Sequence, residues 1–423
     1  MLHYKNKSSL FATLLHKLIY MMKKLLFITS LFALFSLHSC QNKDPDPTEP
    51  IDNNNTEGNL VRIFVSDQDK PDYYFINPVN GNLEVNQSSF AAGNLYSSPS
   101  GRYVAVINTN DNLASFFDSG IEGHGDHAHV KGTPKWALAK STALRPVHFY
   151  GSGDEILIFN DGEGTLSQFK EGSLHTSSIG QSIIAGIPHH GAPALFTNGN
   201  IAVTEKDGSA AGTLPERVKI IDKSGKLVHS SVIQTGGIHG EAGNGETVLF
   251  GSTNGILKVG SNGDQELIAY PSHFGSTWLG TLLHGKKSGT FLGFSAKFGL
   301  YKIDPIGNKI STIDENTSLF SVTFDWSGQD FIVLYADGNV KIFDGKDLSV
   351  KVSKKIEVVF PASGTVGNPT VVSTEKLVYI SDGINGKIKM YKKENLEEVK
   401  EIIIPGKPAK MALMGSEVEE GGE

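Results

Sequence analysis

The chain has 423 residues, 39% of them hydrophobic, with 47 glycines, a single cysteine and a formal net charge of −7. This length allows one large domain or two ordinary ones, and a single cysteine excludes a disulfide within the chain. The acidic balance lacks the basic footprint of a nucleic-acid binder, so nucleic acid is excluded as a partner.

The first element is a targeting segment. From Met21 the sequence reads MMKKLLFITSLFALFSLHSC. Lys23 and Lys24 form a positive n-region, and Leu25 to Leu37 form an apolar h-region too short for an ordinary membrane span. The segment closes on Leu37-His38-Ser39-Cys40, which resembles a bacterial lipobox. Residues 1–39 therefore read as a lipoprotein signal peptide, with 1–20 upstream of the better start at Met21 or Met22. Cys40 is the expected lipidation site, and the membrane is expected as a partner only through that anchor. Removing the leader's five lysines takes the net charge from −7 to −12. Residues 40–58 are acidic, rich in Pro and Asn, and without apolar periodicity, the composition of a disordered tether. The expected location is the cell envelope, on the periplasmic side or the cell surface. Lys43-Asp44, soon after the cysteine, resembles the export signals of surface lipoproteins.

From residue 59 to 412 the pattern changes. Short apolar runs alternate with Gly, Asn and Asp turns, and no long amphipathic helix is visible. Paired runs fall at 61–81, 102–120, 155–169, 201–225, 247–263, 290–307, 331–345 and 377–393. Eight hairpins at a period of about 45 residues predict an all-β fold, a single β-propeller. The count is eight blades, or seven where the first hairpin completes the last blade. Residues 413–423 read as an acidic tail.

The histidines are not scattered. His148, His239 and, at a shorter spacing, His284 each precede the first turn of a predicted hairpin, and His189-His190 does so with a longer turn. The strand before each hairpin should be the innermost of its blade and line the central channel. Equivalent positions on successive blades then share one level of the wall, so His148, His190, His239 and His284 are expected to converge there. Three imidazoles with a water or carboxylate make a tetrahedral zinc site. Glu241 or Asp161 is expected to complete the set or to orient an imidazole. His175 and His229 lie off this position and read as structural, whereas His273 either lines the channel or packs near Trp278. A second cluster, EGHGDHAH at 122–129, holds His124, His127 and His129. It reads as a glycine-rich, mobile insertion before the next blade's inner strand, able to capture a metal beside the deeper site.

Four motifs carry a resemblance: HGDHAH, RPVH with FNDGEG, PHHGAP and GIHGEA. Together they resemble the AztD-type periplasmic zinc metallochaperones, secreted β-propellers associated with zinc uptake transporters. The resemblance implies a zinc site in the propeller pore, at His148, His190 and His239 with His189, and a flap at His124, His127 and His129. It also implies that Zn2+ is the cargo and that the partner is the periplasmic zinc-binding protein of a transporter.

Three functions follow from the residues. The first is a non-enzymatic lipoprotein that binds zinc and hands it on, or buffers it. The second is a metal-dependent propeller hydrolase or lyase with Glu241 as general base. Neither a nucleophile elbow nor an H-E-x-x-H motif supports it. The third is an interaction propeller with incidental histidines, for which the expected G-H…W-D signature is absent.

Overall fold

The computed structural model describes residues 58–362 and 366–418. The leader, Cys40 and the tether up to residue 57 lie outside the described residues, as do 419–423. The described chain forms eight four-stranded antiparallel sheets and one additional two-stranded hairpin. It is an eight-bladed propeller.

Each hairpin read from the sequence is the second and third strand of a blade. Blade 3 is typical. Its inner strand Pro146–Ser152 pairs with Glu155–Asn160, then Thr165–Lys170, then the outer strand Gln181–Ile184. The second strands, such as Tyr103–Asn108 and Leu377–Asp382, are buried along their whole length. They face the neighbouring blades on both sides, which is why they read as continuous apolar runs and not as alternating ones. Rings interlock across the seams: Phe64 of blade 1 stacks on Phe117 of blade 2 with centroids 4.5 Å apart.

The ring closes by pairing the chain's two ends. The last strand, Pro408–Gly415, is the inner strand of blade 1 and pairs with Val61–Asp67. The blade before it has four strands of its own, so the first hairpin founds a separate blade and the count is eight. The last strand also runs three residues past the expected boundary at 412, because Leu413 and Met414 are buried in the closing seam.

Strand direction alternates within a blade. Loops entering the inner strands share one face of the ring with the turns between second and third strands. Turns leaving the inner strands share the other face with the connections between third and outer strands. Inner strands of successive blades touch around the ring.

The EGHGDHAH segment joins the third strand Leu113–Asp118 of blade 2 to that blade's own outer strand Lys135–Ser141. It thus precedes an outer strand, not the next blade's inner one. Nor is it a loose loop. Ile121–Gly123 pairs with Ala128–Val130, and Ile121 and Ala128 are buried against Leu60. Its root is held electrostatically. The Asp118 side chain, 1% exposed, accepts Arg102 Nε at 2.9 Å and the Gly120 amide at 2.8 Å, and pairs with His175 Nε2 at 2.8 Å. Arg102 also reaches Glu122 at 3.5 Å. Burial works against the Asp118 charge, but Arg102, Gly120 and His175 outweigh it and hold the carboxyl below its usual range.

Replacing Asp118 with Asn strands the half-buried guanidinium and is expected to cost about 3 kcal/mol. A depressed folded pKa stabilises the fold above the unfolded carboxyl value of about 3.9 and is lost as pH falls through the folded value. Urea unfolding should therefore separate the wild type from Asp118→Asn at neutral pH, and the gap should narrow below about pH 4. An equal gap at all pH values would contradict this account.

Candidate metal centre

The channel holds three imidazoles at the face where inner strands begin. His148 lies near the start of the inner strand of blade 3, and His239 near the start of Ile238–Gly243 in blade 5. His190 lies on the lead-in to Pro193–Leu195 in blade 4, fixed by its amide bond to the Thr213 carbonyl at 2.9 Å. Ring centroids are 4.9 Å apart for His148–His190, 5.1 Å for His190–His239 and 5.6 Å for His148–His239. One nitrogen from each lies within 4.8 Å of the others. Among the described residues this is the single group of three or more metal-ligating side chains so arranged.

Equal spacing in the sequence conceals a difference in register. His148 and His239 both precede a phenylalanine by the same number of residues. In the sheet, though, Phe250 opposes Glu241, whereas Phe159 faces an irregularity between Pro146 and Phe149. The two histidines are offset by one strand position, which would ordinarily turn them to opposite faces. A register shift in each inner strand, between Pro146 and Phe149 and between Ile238 and Glu241, absorbs the offset. Gly240 makes the second one feasible. Its φ is +78°, and a Cβ there would meet the Gly280 carbonyl oxygen at 2.4 Å.

Each ring is locked from behind. His148 Nδ1 faces Glu241 Oε2 at 3.3 Å, His190 Nδ1 faces Asp161 Oδ2 at 2.6 Å, and His239 Nδ1 faces the Gly280 carbonyl at 2.8 Å. Carboxylates and carbonyls only accept, so each Nδ1 carries the proton and donates it. Each Nε2 is then left as a lone pair. The Nε2 atoms of His148 and His190 stand 3.4 Å apart. Two bare lone pairs at that distance repel unless a cation lies between them. Two nitrogens bound at ~2.0–2.1 Å to one tetrahedral ion would be ~3.3–3.4 Å apart. The donor set fits zinc, and the carboxylates behind it are the usual partners of zinc-bound imidazoles.

The site's electrostatics run in opposing directions. Burial lowers the His148 pKa, but Glu241, by charge and hydrogen bond, and Asp161 outweigh it and raise the value above normal. His239 is pushed down, first by burial and then by its neighbours His148 and His190, against the Gly280 carbonyl. Glu241 is mostly buried and committed to His148, so it is not free to act as the general base of a hydrolase.

Two expected ligands lie elsewhere. His189 is 3% exposed and spends both nitrogens, Nδ1 on the Ile187 carbonyl at 2.7 Å and Nε2 on Thr204 Oγ1 at 3.0 Å. It braces the loop that presents His190. His284 ends the inner strand of blade 6 and pairs directly across the turn with Phe291. Its strand is at the right blade but its position is at the wrong end of the channel; Thr281 stands at the level of the triad. His273 pairs with Glu315 at 3.3 Å and packs on Phe298, away from the three imidazoles. His229 pairs with Ile220 in an outer strand. Sequence reasoning missed the Gly280 carbonyl, and no side-chain pattern could have revealed a backbone acceptor.

The flap imidazoles also gather. His124, His127 and His129 have centroids 4.9–5.6 Å apart, brought together by a turn in which Gly125 has φ +76°. They emerge on the face opposite the triad, not beside it. The two clusters are separated by about one inner strand, ~15–20 Å at ~3.3 Å per residue. A cavity of about 330 Å³ is lined by Tyr96, Phe149, Phe324, Trp326 and Met411, on or beside the inner strands of blades 1, 2, 3 and 7. No histidine is among the residues that line it.

No protein-family model matches the chain. It is 25% identical over 380 residues to the zinc chaperone AztD of Citrobacter koseri, covering 86% of this chain and 88% of that protein. The crystal structure of Citrobacter koseri AztD superposes with a TM-score of 0.76 at 22% identity, covering 86% of this chain and all of that one. Its apo form gives 0.75 at 22% identity, with 84% and 98% covered. The dihydro-heme d1 dehydrogenase NirN, at 16% identity and a TM-score of 0.55, shares the fold over 88% of this chain and 78% of its own. The AztD-type likeness read from four short motifs thus extends across the propeller, to a relative named as a chaperone and not as an enzyme.

Substitutions behind the rings test the site. Asp161→Asn and Glu241→Gln should each weaken zinc binding by about 10- to 100-fold. His284→Ala should leave it unchanged. Competition against a chromophoric chelator measures all three, and a large loss with His284→Ala would refute the assignment.

Proposed function

We propose that this protein is a zinc chaperone of the cell envelope. His148, His190 and His239 hold the ion, the flap collects zinc at the opposite face, and the ion passes to the zinc-binding protein of an uptake system. The observation that carries this reading is the pair of Nε2 lone pairs facing each other at 3.4 Å with every Nδ1 already committed. The relation to the AztD of Citrobacter koseri supports zinc as the ion.

The triad suits a carrier better than a permanent structural site. Three neutral ligands leave a fourth position for water or for a ligand from a partner, so release proceeds by exchange. The imidazoles remain partly exposed at the channel mouth. Among the described residues, the carboxylates beside them, Glu241 and Asp161, are committed to imidazoles. Because the flap lies at the other face, it and the triad hold separate ions, and a handover between them runs between molecules or through solvent.

Residues 41–423, freed of the leader, should bind two zinc ions of unequal affinity. His148→Ala with His239→Ala should abolish the tighter site. A triple alanine variant at His124, His127 and His129 should remove only the weaker one. Binding no tighter than micromolar and indifferent to both variants would sink the carrier reading. The anchor has its own check: full-length protein should fractionate with membranes, and Cys40→Ser should move it to the soluble fraction.

A further inference from the structure

A cleft lies beside the triad on the same face of the ring. It has a volume of about 410 Å³ and is lined by Leu214, His239, Trp278, Gly280, Thr281 and Phe294. The cleft and the triad share one frame. The Gly280 carbonyl that accepts from His239 Nδ1 belongs to its lining, and the Trp278 ring stands at 81° to the His239 ring with centroids 6.4 Å apart. Leu214 follows Thr213, whose carbonyl accepts the His190 amide at 2.9 Å. It packs over Gly237, where a Cβ would meet Leu214 Cδ1 at 2.8 Å.

Apolar side chains are exposed on the neighbouring loops. Leu144, Ile187 and Val232 lie on the loops that enter the inner strands of blades 3, 4 and 5, the blades that carry the triad. Singly, such residues are ordinary. These three sit on loops fixed by hydrogen bonds. The Leu144 amide donates to Glu163 at 3.0 Å, the Ile187 carbonyl accepts from His189 at 2.7 Å, and the Val232 amide donates to Gln265 at 3.1 Å. With Trp278, on the loop entering blade 6, they occupy four successive loops, more than a small molecule spans. The occupant they fit is a protein.

Charge selects the donor that protein brings. Glu241 and Asp161 stand behind the rings, and their two negative charges offset the two positive charges of a zinc ion. A carboxylate as fourth ligand would leave an excess negative charge beside them, whereas a neutral imidazole would not. Spacing selects the motif. Residues two apart in an extended segment point to one side and lie ~6.6 Å from each other, comparable with the 6.4 Å between the Trp278 and His239 rings.

We propose that this face docks a protein partner that lays an extended segment of the form apolar-x-His across the channel mouth. Its apolar side chain enters the cleft, and its imidazole takes the fourth position on the ion. This rests on the carrier reading and names the class of partner that receives the zinc.

Three blocked peptides test it: acetyl-Leu-Gly-His-amide, acetyl-Leu-Gly-Gln-amide and acetyl-Gly-Gly-His-amide. Each is titrated calorimetrically into protein that carries the triple alanine variant of the flap and is saturated with zinc at the triad. The first should bind about 10-fold more tightly than either of the others, which for the leucine is what burying one such side chain supplies. Without zinc the first and second should bind alike. Trp278→Ala and Leu214→Ala should each erase the preference for the first over the third. Equal binding of the three peptides, or a leucine preference that survives in both variants, would overturn the docking proposal and leave the carrier reading standing. Zinc held no more tightly than micromolar by this protein would overturn both.

Discussion

Pairing of the last strand, Pro408–Gly415, with the first, Val61–Asp67, is the constraint on which the rest depends. A blade alone exposes both faces of a small sheet, and only a closed ring covers them all. Closure also fixes which end of each strand points where. It brings both ends of the propeller to one face, with the flap rooted between them. The alternation of strand direction then assigns every histidine to a face. His148, His190 and His239 stand at the starts of inner strands, while His284, at the end of one, falls on the other side.

Closure alone would give only a polar channel. The candidate metal centre is set by what lies behind the rings. Three acceptors of different origin, a carboxylate from blade 5, a carboxylate from the turn of blade 3 and a carbonyl leading into blade 6, each accept a hydrogen bond from an Nδ1–H. Each lock comes from a different part of the ring from the imidazole it orients, so the site exists only when neighbouring blades are docked. The same logic recurs on the flap, where Asp126 orients His127, but there the ring closes around nothing else that is described.

The two clusters give the molecule two chemically distinct ends. One presents a pre-oriented, partly exposed set of nitrogens. The other presents a hairpin of partly exposed imidazoles braced by the Asp118–Arg102 pair.

Much of this was legible in the sequence. The eight hairpins are the middle strands of eight blades, since strands buried on both faces must be apolar throughout and are bounded by turn residues. The inner and outer strands were less visible, being short and polar on one side. The histidine periodicity pointed to the channel, and His148, His190 and His239 are brought together there. The level of each histidine along the strand was not legible. His284 shares the pattern but sits nearer its turn, and His148 and His239 share a spacing but not a register. His189 and His190 are adjacent in sequence, yet one is buried against Thr204 and the other faces the channel. Composition and period determined the architecture, the acidic character and the residue types of the site. Register, the irregularities at the starts of the inner strands, the carbonyl of Gly280 and the opposition of flap and triad were decided only by the tertiary structure, because they depend on how blades meet and not on any residue's own preference.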